Sequence, residues 1–134
     1  MPFRCAFTIR SDTRYLSTLR DWVAAVARVA GHDEFPRRAV VPCSLALIEA
    51  VDNAIFHAHG HKKDLPISVS LALERRRIVM EVIDRGEGIG KPKLPKPDEL
   101  VTHGRGLFII HNVMSDVTSK VSKGRHKIRM VYTI

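Results

Sequence analysis

The stretch Leu45-Ala-Leu-Ile-Glu-Ala-Val-Asp-Asn-Ala-Ile-Phe-His-Ala-His59 predicts the second half of an amphipathic helix. Its large apolar residues recur at spacings of three and four, which predicts one stripe made of Leu45, Ile48, Val51 and Ile55. Glu49 and Asn53 are four residues apart, so their side chains stand one turn apart on a neighbouring face. A carboxylate beside a carboxamide can hold a metal ion and a water molecule, although a solvated helix surface is the simpler interpretation of this pair alone.

The composition indicates a single globular domain over residues 1–134, since 45% hydrophobic residues suffice for one core. No apolar run approaches the length of a membrane span, and the N-terminal segment resembles a strand more than a signal peptide. We therefore expect a cytoplasmic protein with no membrane association. Cys5 and Cys43 are far apart in the sequence, and we expect them to be free thiols.

The net charge of +8 predicts attraction to an anion, whether a nucleotide, a nucleic acid or an acidic protein. Proteins that bind single-stranded nucleic acid usually place aromatic residues among their basic residues. Here the aromatic content is 6%, and these residues do not cluster with the arginines. Direct nucleic-acid binding is therefore disfavoured.

Periodicity along the chain predicts an α/β domain with about five strands and three main helices. The predicted strands are Phe3–Arg10, Pro66–Glu74, Ile78–Ile83, Asp116–Ser122 and Lys127–Ile134. The predicted helices run from Tyr15 to Ala30, from about Val40 to His59, and from the Gly104-Arg-Gly106 cluster to about Met114. Ser11 or Asp12 can cap the first helix and Gly31 can end it, while Pro42 is expected in the first turn of the second helix and Gly60 at its end.

Three alternating histidines, His57, His59 and His61, follow the polar pair. On a helix, His57 and His59 point to different sides, and no cysteine lies nearby in the sequence. Histidines near a helix C-terminus also suit the helix dipole. This arrangement disfavours a metal site.

The segment Asp84-Arg-Gly-Glu-Gly-Ile-Gly90 follows a predicted strand. It is not a dinucleotide-binding fingerprint, because its glycines lead into the proline-rich segment 91–97 and not into a helix. The Asp84 carboxylate can accept a hydrogen bond from an exocyclic amine such as that of adenine. Gly86 and Gly88 would let a ring approach the backbone closely. The proline-rich segment is a candidate lid.

Gly104 and Gly106 open the last predicted helix. The exposed N–H groups of a helix N-terminus can bind phosphate, and Arg105 either adds positive charge or faces solvent. Ordinary turns remain the alternative for this glycine cluster and for the previous one, when each is taken alone.

Taken together in this order, the three clusters resemble those of the GHKL (Bergerat-fold) ATPase superfamily. Glu49-Ala-Val-Asp-Asn53 with the following Ala54-Ile-Phe-His57-Ala is similar to its N box, Asp84-Arg-Gly-Glu-Gly-Ile89 to its G1 box, and Gly104-Arg-Gly-Leu107 to its G2 box. Within this superfamily, the order of Glu49 and Asn53, the closing His57-Ala and the helix that follows Gly106 most resemble those of the bacterial anti-sigma-factor serine/threonine protein kinases. The chain departs from their pattern in its basic charge and at Gly124-Arg-His, where a Gly-Thr turn is common.

The resemblance implies a two-layer α/β sandwich whose mixed, mainly antiparallel sheet carries helices on one face. It implies ATP and Mg²⁺ as cofactors, with Glu49 as general base and Asn53 as Mg²⁺ ligand. The implied nucleotide-binding residues are Asp84, Gly86, Gly88, Gly104, Arg105, Gly106 and Leu107. Asp52 is either a supporting residue of this site or a surface residue.

The resemblance also implies partners. These are a STAS-type anti-anti-sigma protein as the substrate, a sigma factor, and a second copy of the chain in a homodimer. The alternative hypothesis is an adaptor without catalysis, which would switch a partner protein by binding ATP or ADP.

Overall fold

The computed structural model describes residues 3–58, 65–85 and 105–134, which form one sheet with helices packed on one face. The strands are β1 (Phe3–Arg10), β2 (Pro66–Glu74), β3 (Arg77–Asp84), β4 (Asp116–Ser122) and β5 (Arg125–Thr133). The helices are α1 (Leu16–Ala30), α2 (Arg37–Asn53) and α3 (Arg105–Val113). A short 3₁₀ turn (Thr13–Tyr15) precedes α1, and a π-helical turn (Ala54–Ala58) continues α2.

The five strands are ordered β1-β2-β3-β5-β4. All four pairings among the described strands are antiparallel. The predicted two-layer α/β sandwich is confirmed, and its described sheet is antiparallel throughout where a mixed sheet was expected. Each predicted strand is present. Two of them begin earlier than predicted: β3 begins at Arg77 and not at Ile78, and β5 begins at Arg125 and not at Lys127.

The alternation of side chains decides which face of the sheet is covered. In β2 the odd-numbered residues from Ile67 to Leu73 are buried, while the residues between them are less so. Antiparallel pairing places Leu71 opposite Met80, and Met80 opposite Met130, so one buried row crosses the sheet. Asp84 lies four residues beyond Met80 and therefore projects from the same helix-covered face.

Of the two predicted end signals of α1, the one at its C-terminus is confirmed. The carboxylate of Asp12 accepts a hydrogen bond from the backbone N–H of Arg14 at 3.0 Å, so Asp12 caps the preceding 3₁₀ turn, whereas α1 itself begins after Tyr15 without a side-chain cap. At the other end Gly31 adopts a φ of 90° and donates its N–H to the carbonyl of Ala27. The helical spacing of Leu16, Leu19, Val23, Val26 and Val29 predicts one buried stripe on α1. This prediction was wrong at Val29, which is 76% exposed.

The prediction for α2 was wrong in two respects. The helix begins at Arg37 and not near Val40, so Pro42 lies in its second turn. The predicted stripe also includes Leu45, which is 36% exposed, and Ile48, which is only partly buried. Val51 and Ile55 of the predicted stripe are buried as expected. The rest of the face that α2 turns to the core is formed by Leu47 and by four small side chains: Ala39, Cys43, Ala46 and Ala50.

Among the described residues, one helical stretch, Arg37–Phe56, is long and apolar enough to cross a membrane by length and composition alone. Half of this stretch is buried inside the protein. Its apolar character is thus explained by packing in the core, as in many helices that cross no membrane.

The two leucines of α2 provide a test of this packing. We expect Leu47→Ala to lower the free energy of unfolding by about 2–5 kcal/mol, because Leu47 is fully buried and its truncation leaves a cavity. The matched variant Leu45→Ala should cost less than about 1 kcal/mol, because its side chain is exposed to water. Urea unfolding measures both values, and equal losses would contradict the assigned face of α2.

Candidate functional site

Glu49 and Asn53 lie on the last turns of α2, as predicted, and both are half-buried. The helix contacts β3, β5 and α3. These are the elements that carry or adjoin the other two predicted clusters, since β3 ends at Asp84 and α3 begins at Arg105. The fold therefore places α2 in contact with both of the elements, β3 and α3, that carry the other predicted clusters.

The carboxyl group of Glu49 has unusual electrostatic surroundings. Burial raises its pKa above the ordinary value of 4.5, and the negative charge of Asp52 raises it further. A carboxylate with a raised pKa binds a proton more strongly, which suits a general base that works near neutral pH. Asp52 thus acts on Glu49 through its charge, which supports its interpretation as a supporting residue of the site.

The side chain of Asn53 contains a buried polar atom without a hydrogen bond. Its Nδ2 has no partner among the described residues. The two ends of a carboxamide can exchange by rotation, so either the nitrogen or the oxygen can occupy this position. Buried polar groups are nearly always satisfied, so this atom needs a partner such as water or a ligand, as do the buried hydroxyls of Ser11 and Ser44.

The π-helical turn begins directly after Asn53 and was not predicted from the sequence. The N–H of Ala54 is shared between the carbonyls of Ala50 and Val51, where the α-helical pattern changes. Such turns are rare and occur frequently at functional sites. The sequence carries no clear signal for this turn, because none of its residues is a proline or glycine.

Glu49 and Asn53 both offer side-chain oxygen atoms, which are the ligands that Mg²⁺ prefers. To that extent the pair on α2 fits this ion. The described residues contain no cluster of three or more His, Cys, Asp or Glu side chains that could hold a metal on its own. Mg²⁺ usually binds through one or two protein oxygens together with substrate phosphates and water. An amide oxygen on Asn53 is consistent with that mode.

Asp84 is the last residue of β3 and is only 3% exposed. Burial of a carboxylate is unfavourable unless it is paired or hydrogen-bonded. The structure supplies such a partner in His126 of β5, whose Nδ1 lies 3.1 Å from Asp84 Oδ2. The other ring nitrogen, Nε2, lies 2.6 Å from the hydroxyl oxygen of Ser119 on β4. His126 lies where the sequence departs from the family pattern, and its contacts with Asp84 and Ser119 were not predicted.

The remaining predicted residues are only partly covered by the structure. Gly86, Gly88 and Gly104 lie outside the described residues, as do His59, Gly60, His61 and the candidate lid. Arg105, Gly106 and Leu107 form the first turn of α3, so the predicted helix start at the third cluster is present. Its N-terminal N–H groups are where such a helix can bind phosphate.

The opposite face of the sheet carries many of the basic residues. The register places seven cations there: Arg4, Arg10, Arg77, Lys120, Arg125, Lys127 and Arg129. The acidic residues on the same face are Glu74, Glu81 and Asp116. Much of the positive charge therefore lies on the face that is not covered by helices. The described strands place no aromatic side chain on this face, unlike the stacking surfaces that bind single-stranded nucleic acid.

Comparison with known proteins agrees with this arrangement. The family described as "Histidine kinase-like ATPase domain" matches residues 9–132. A protein named serine-protein kinase RsbW from Oceanobacillus iheyensis is 27% identical over 119 residues, which cover 81% of this chain and 73% of that protein. An anti-sigma F factor from Bacillus velezensis is 34% identical over 76 residues, which cover 52% of each chain.

A solved structure is also similar. The crystal structure of the RsbU and RsbW domains of a Mycobacterium tuberculosis protein matches with a TM-score of 0.65 and 15% identity, covering 98% of this chain and 32% of that one. At this identity the match shows the fold alone. The family match spans most of the chain, and the chain therefore belongs to the histidine kinase-like ATPase family, within which it is similar to the anti-sigma-factor kinases.

Proposed function

We propose that this protein is an ATP-dependent serine/threonine kinase that acts in the cytoplasm as an anti-sigma factor. Its substrate would be a STAS-type anti-anti-sigma protein, and it would also bind a sigma factor and a second copy of itself. The observation that carries the proposal is the pair on α2, in which a carboxylate with a raised pKa lies one turn from a buried, unsatisfied carboxamide. Family membership and the names of the relatives support it.

Each predicted site residue has a separate task in this proposal. Asn53 would bind Mg²⁺ through its side-chain oxygen, which would supply charge neutralisation at the phosphates. Asp84 would accept a hydrogen bond from the adenine amine, with Gly86 and Gly88 leaving room for the ring. The backbone of Gly104, Arg105, Gly106 and Leu107 would donate N–H groups to the phosphates, and the Arg105 side chain would add positive charge.

Glu49 would accept the proton of the partner's serine or threonine hydroxyl while the hydroxyl oxygen attacks the γ-phosphorus. The bond between that phosphorus and the bridging oxygen of the leaving ADP breaks as the new bond forms. Phosphoryl transfer depends mainly on positioning and on neutralisation of charge. A half-buried base on a packed helix meets the positioning requirement.

The first prediction from this proposal concerns Glu49→Gln. We expect this variant to bind ATP with unchanged affinity but to transfer phosphate about 10²–10⁴ times more slowly, because a carboxamide cannot accept the proton. Transfer from labelled ATP to a purified STAS-type protein measures the rate. Glu74→Gln, on the uncovered sheet face, is the matched control and should behave as wild type.

Two outcomes would contradict this prediction. If Glu49→Gln transfers phosphate at the wild-type rate, Glu49 is not the base. If the wild type binds ATP but transfers no phosphate, the kinase proposal fails and the non-catalytic switch adaptor becomes the better hypothesis.

A second prediction concerns the pH dependence of kcat/KM. Glu49 must be ionised to act as a base, so activity should fall as the pH decreases through its raised pKa. Asp52→Asn removes one of the two causes of the shift, and the acid limb of the profile should therefore move to lower pH. Asp21→Asn, at an exposed position of α1, should leave the limb in place. An identical limb in all three proteins would exclude electrostatic coupling between Asp52 and Glu49.

A third prediction concerns stability. Because the folded-state pKa of Glu49 is raised, the folded protein binds this proton more tightly than the unfolded chain does. The resulting stabilisation is present at low pH and is lost as the pH rises through the raised pKa. Glu49→Gln should therefore unfold at higher urea concentration at pH 7, with a gain below about 1 kcal/mol because water still screens the group. The gain should vanish below pH 4.5, and a loss of stability at pH 7 would refute the argument.

A further inference from the structure

We propose that His126, held in place by Ser119, is a positioning residue that orients the Asp84 carboxylate to select a 6-amino purine nucleotide over a 6-oxo one. The inference rests on the proposed role of Asp84 in binding the base, and it adds two residues to that site. It is carried by the contacts that join three neighbouring strands: Asp84 of β3, His126 of β5 and Ser119 of β4.

The register of the sheet explains why these residues meet. Asp84 and His126 are directly opposite each other at the end of the β3–β5 pair, so their side chains project from the same face. Ser119 lies diagonally across the β4–β5 pair, two residues from the Val121 that is opposite His126. The imidazole ring therefore bridges the other two groups. Its Nε2 lies 2.6 Å from the Ser119 hydroxyl oxygen, and its Nδ1 lies 3.1 Å from the Asp84 carboxylate.

The chemistry of the carboxylate fixes the direction of one of these hydrogen bonds. An ionised carboxylate can only accept, so Nδ1 of His126 must carry the hydrogen that it donates to Asp84. A hydroxyl can both donate and accept, so Ser119 can pair with Nε2 in either role of that nitrogen. Asp84 thus sets the proton on Nδ1, and Ser119 holds the ring in the orientation that reaches Asp84.

A carboxylate held in this way presents its lone pairs in one orientation. An exocyclic amine can donate to those lone pairs, whereas a 6-oxo group directs lone pairs of its own at them and cannot donate. Sites built around a defined hydrogen bond discriminate strongly against an analogue that cannot form it. Loss of the hydrogen bond from His126 removes one constraint on the orientation of the carboxyl group, and part of that discrimination is lost with it.

The test compares the affinities of the full chain for ATP and inosine triphosphate by calorimetry. We expect wild type to prefer ATP and His126→Leu to reduce that preference about tenfold, the value of one hydrogen bond. His126→Asn keeps an N–H group near the position of Nδ1, and it should restore the preference to within about threefold of wild type. His32→Leu, at an exposed position between α1 and α2, is the matched control and should change nothing.

Ser119→Ala provides a second variant that keeps the ring itself. It should lower the preference for ATP by about threefold, because the ring loses its second hydrogen bond and holds Asp84 in a less fixed orientation. Nitrogen chemical shifts of His126 provide a readout that needs no nucleotide. The wild type and Ser119→Ala should both show a proton on Nδ1, because the carboxylate of Asp84 can only accept.

The outcomes separate the two proposals. If wild type prefers ATP but His126→Leu and Ser119→Ala keep the full preference, the positioning role is refuted while the proposed function stands. A wild-type ring without a proton on Nδ1 would also refute it. If wild type binds neither nucleotide, the proposed function fails, and the role of His126 in base selection fails with it.

Discussion

The packing of α2 against the sheet is the constraint on which the rest of the structure depends. Its buried face is built largely from alanines, including Ala39, Ala46 and Ala50, and close packing of this kind leaves little room for larger side chains. The same helix carries Glu49 and Asn53, both half-buried, on a neighbouring face. A change in how the back of the helix packs would therefore displace both functional groups together, relative to β3, β5 and α3, which the helix contacts.

Two carboxyl groups of the site are buried to different degrees and stabilised differently. Asp84 is almost fully buried, and the hydrogen bond from His126 offsets the loss of hydration. Glu49 is half-buried beside the like charge of Asp52, and its pKa is raised as a result. In the proposed function, the Asp84 carboxylate would accept a hydrogen bond and the Glu49 carboxylate would take a proton. Different tasks for two carboxylates follow from their different surroundings.

Most of the fold could be predicted from the sequence, because strand alternation and helix end signals are local. The β2–β3 hairpin, the Asp12 cap and the Gly31 terminus each depend on residues within a few positions of one another. The buried face of α2 was predicted incorrectly at Leu45 and Ile48, because the apolar pattern was drawn from large residues and left out the alanines. Contact with the sheet decides that face, and small residues are buried there since they allow the helix to approach closely.

By itself the sequence determined the order of the three clusters, the spacing of Glu49 and Asn53 on one helix, and the position of Asp84 at a strand end. Only the tertiary structure decided that His126 and Ser119 join Asp84, since they follow it by 42 and 35 residues (84 to 126 and 84 to 119). It also decided the pKa of Glu49, which depends on burial. Local spacing fixes which groups share an element, whereas pairing between distant strands and exclusion of water are properties of the folded chain alone.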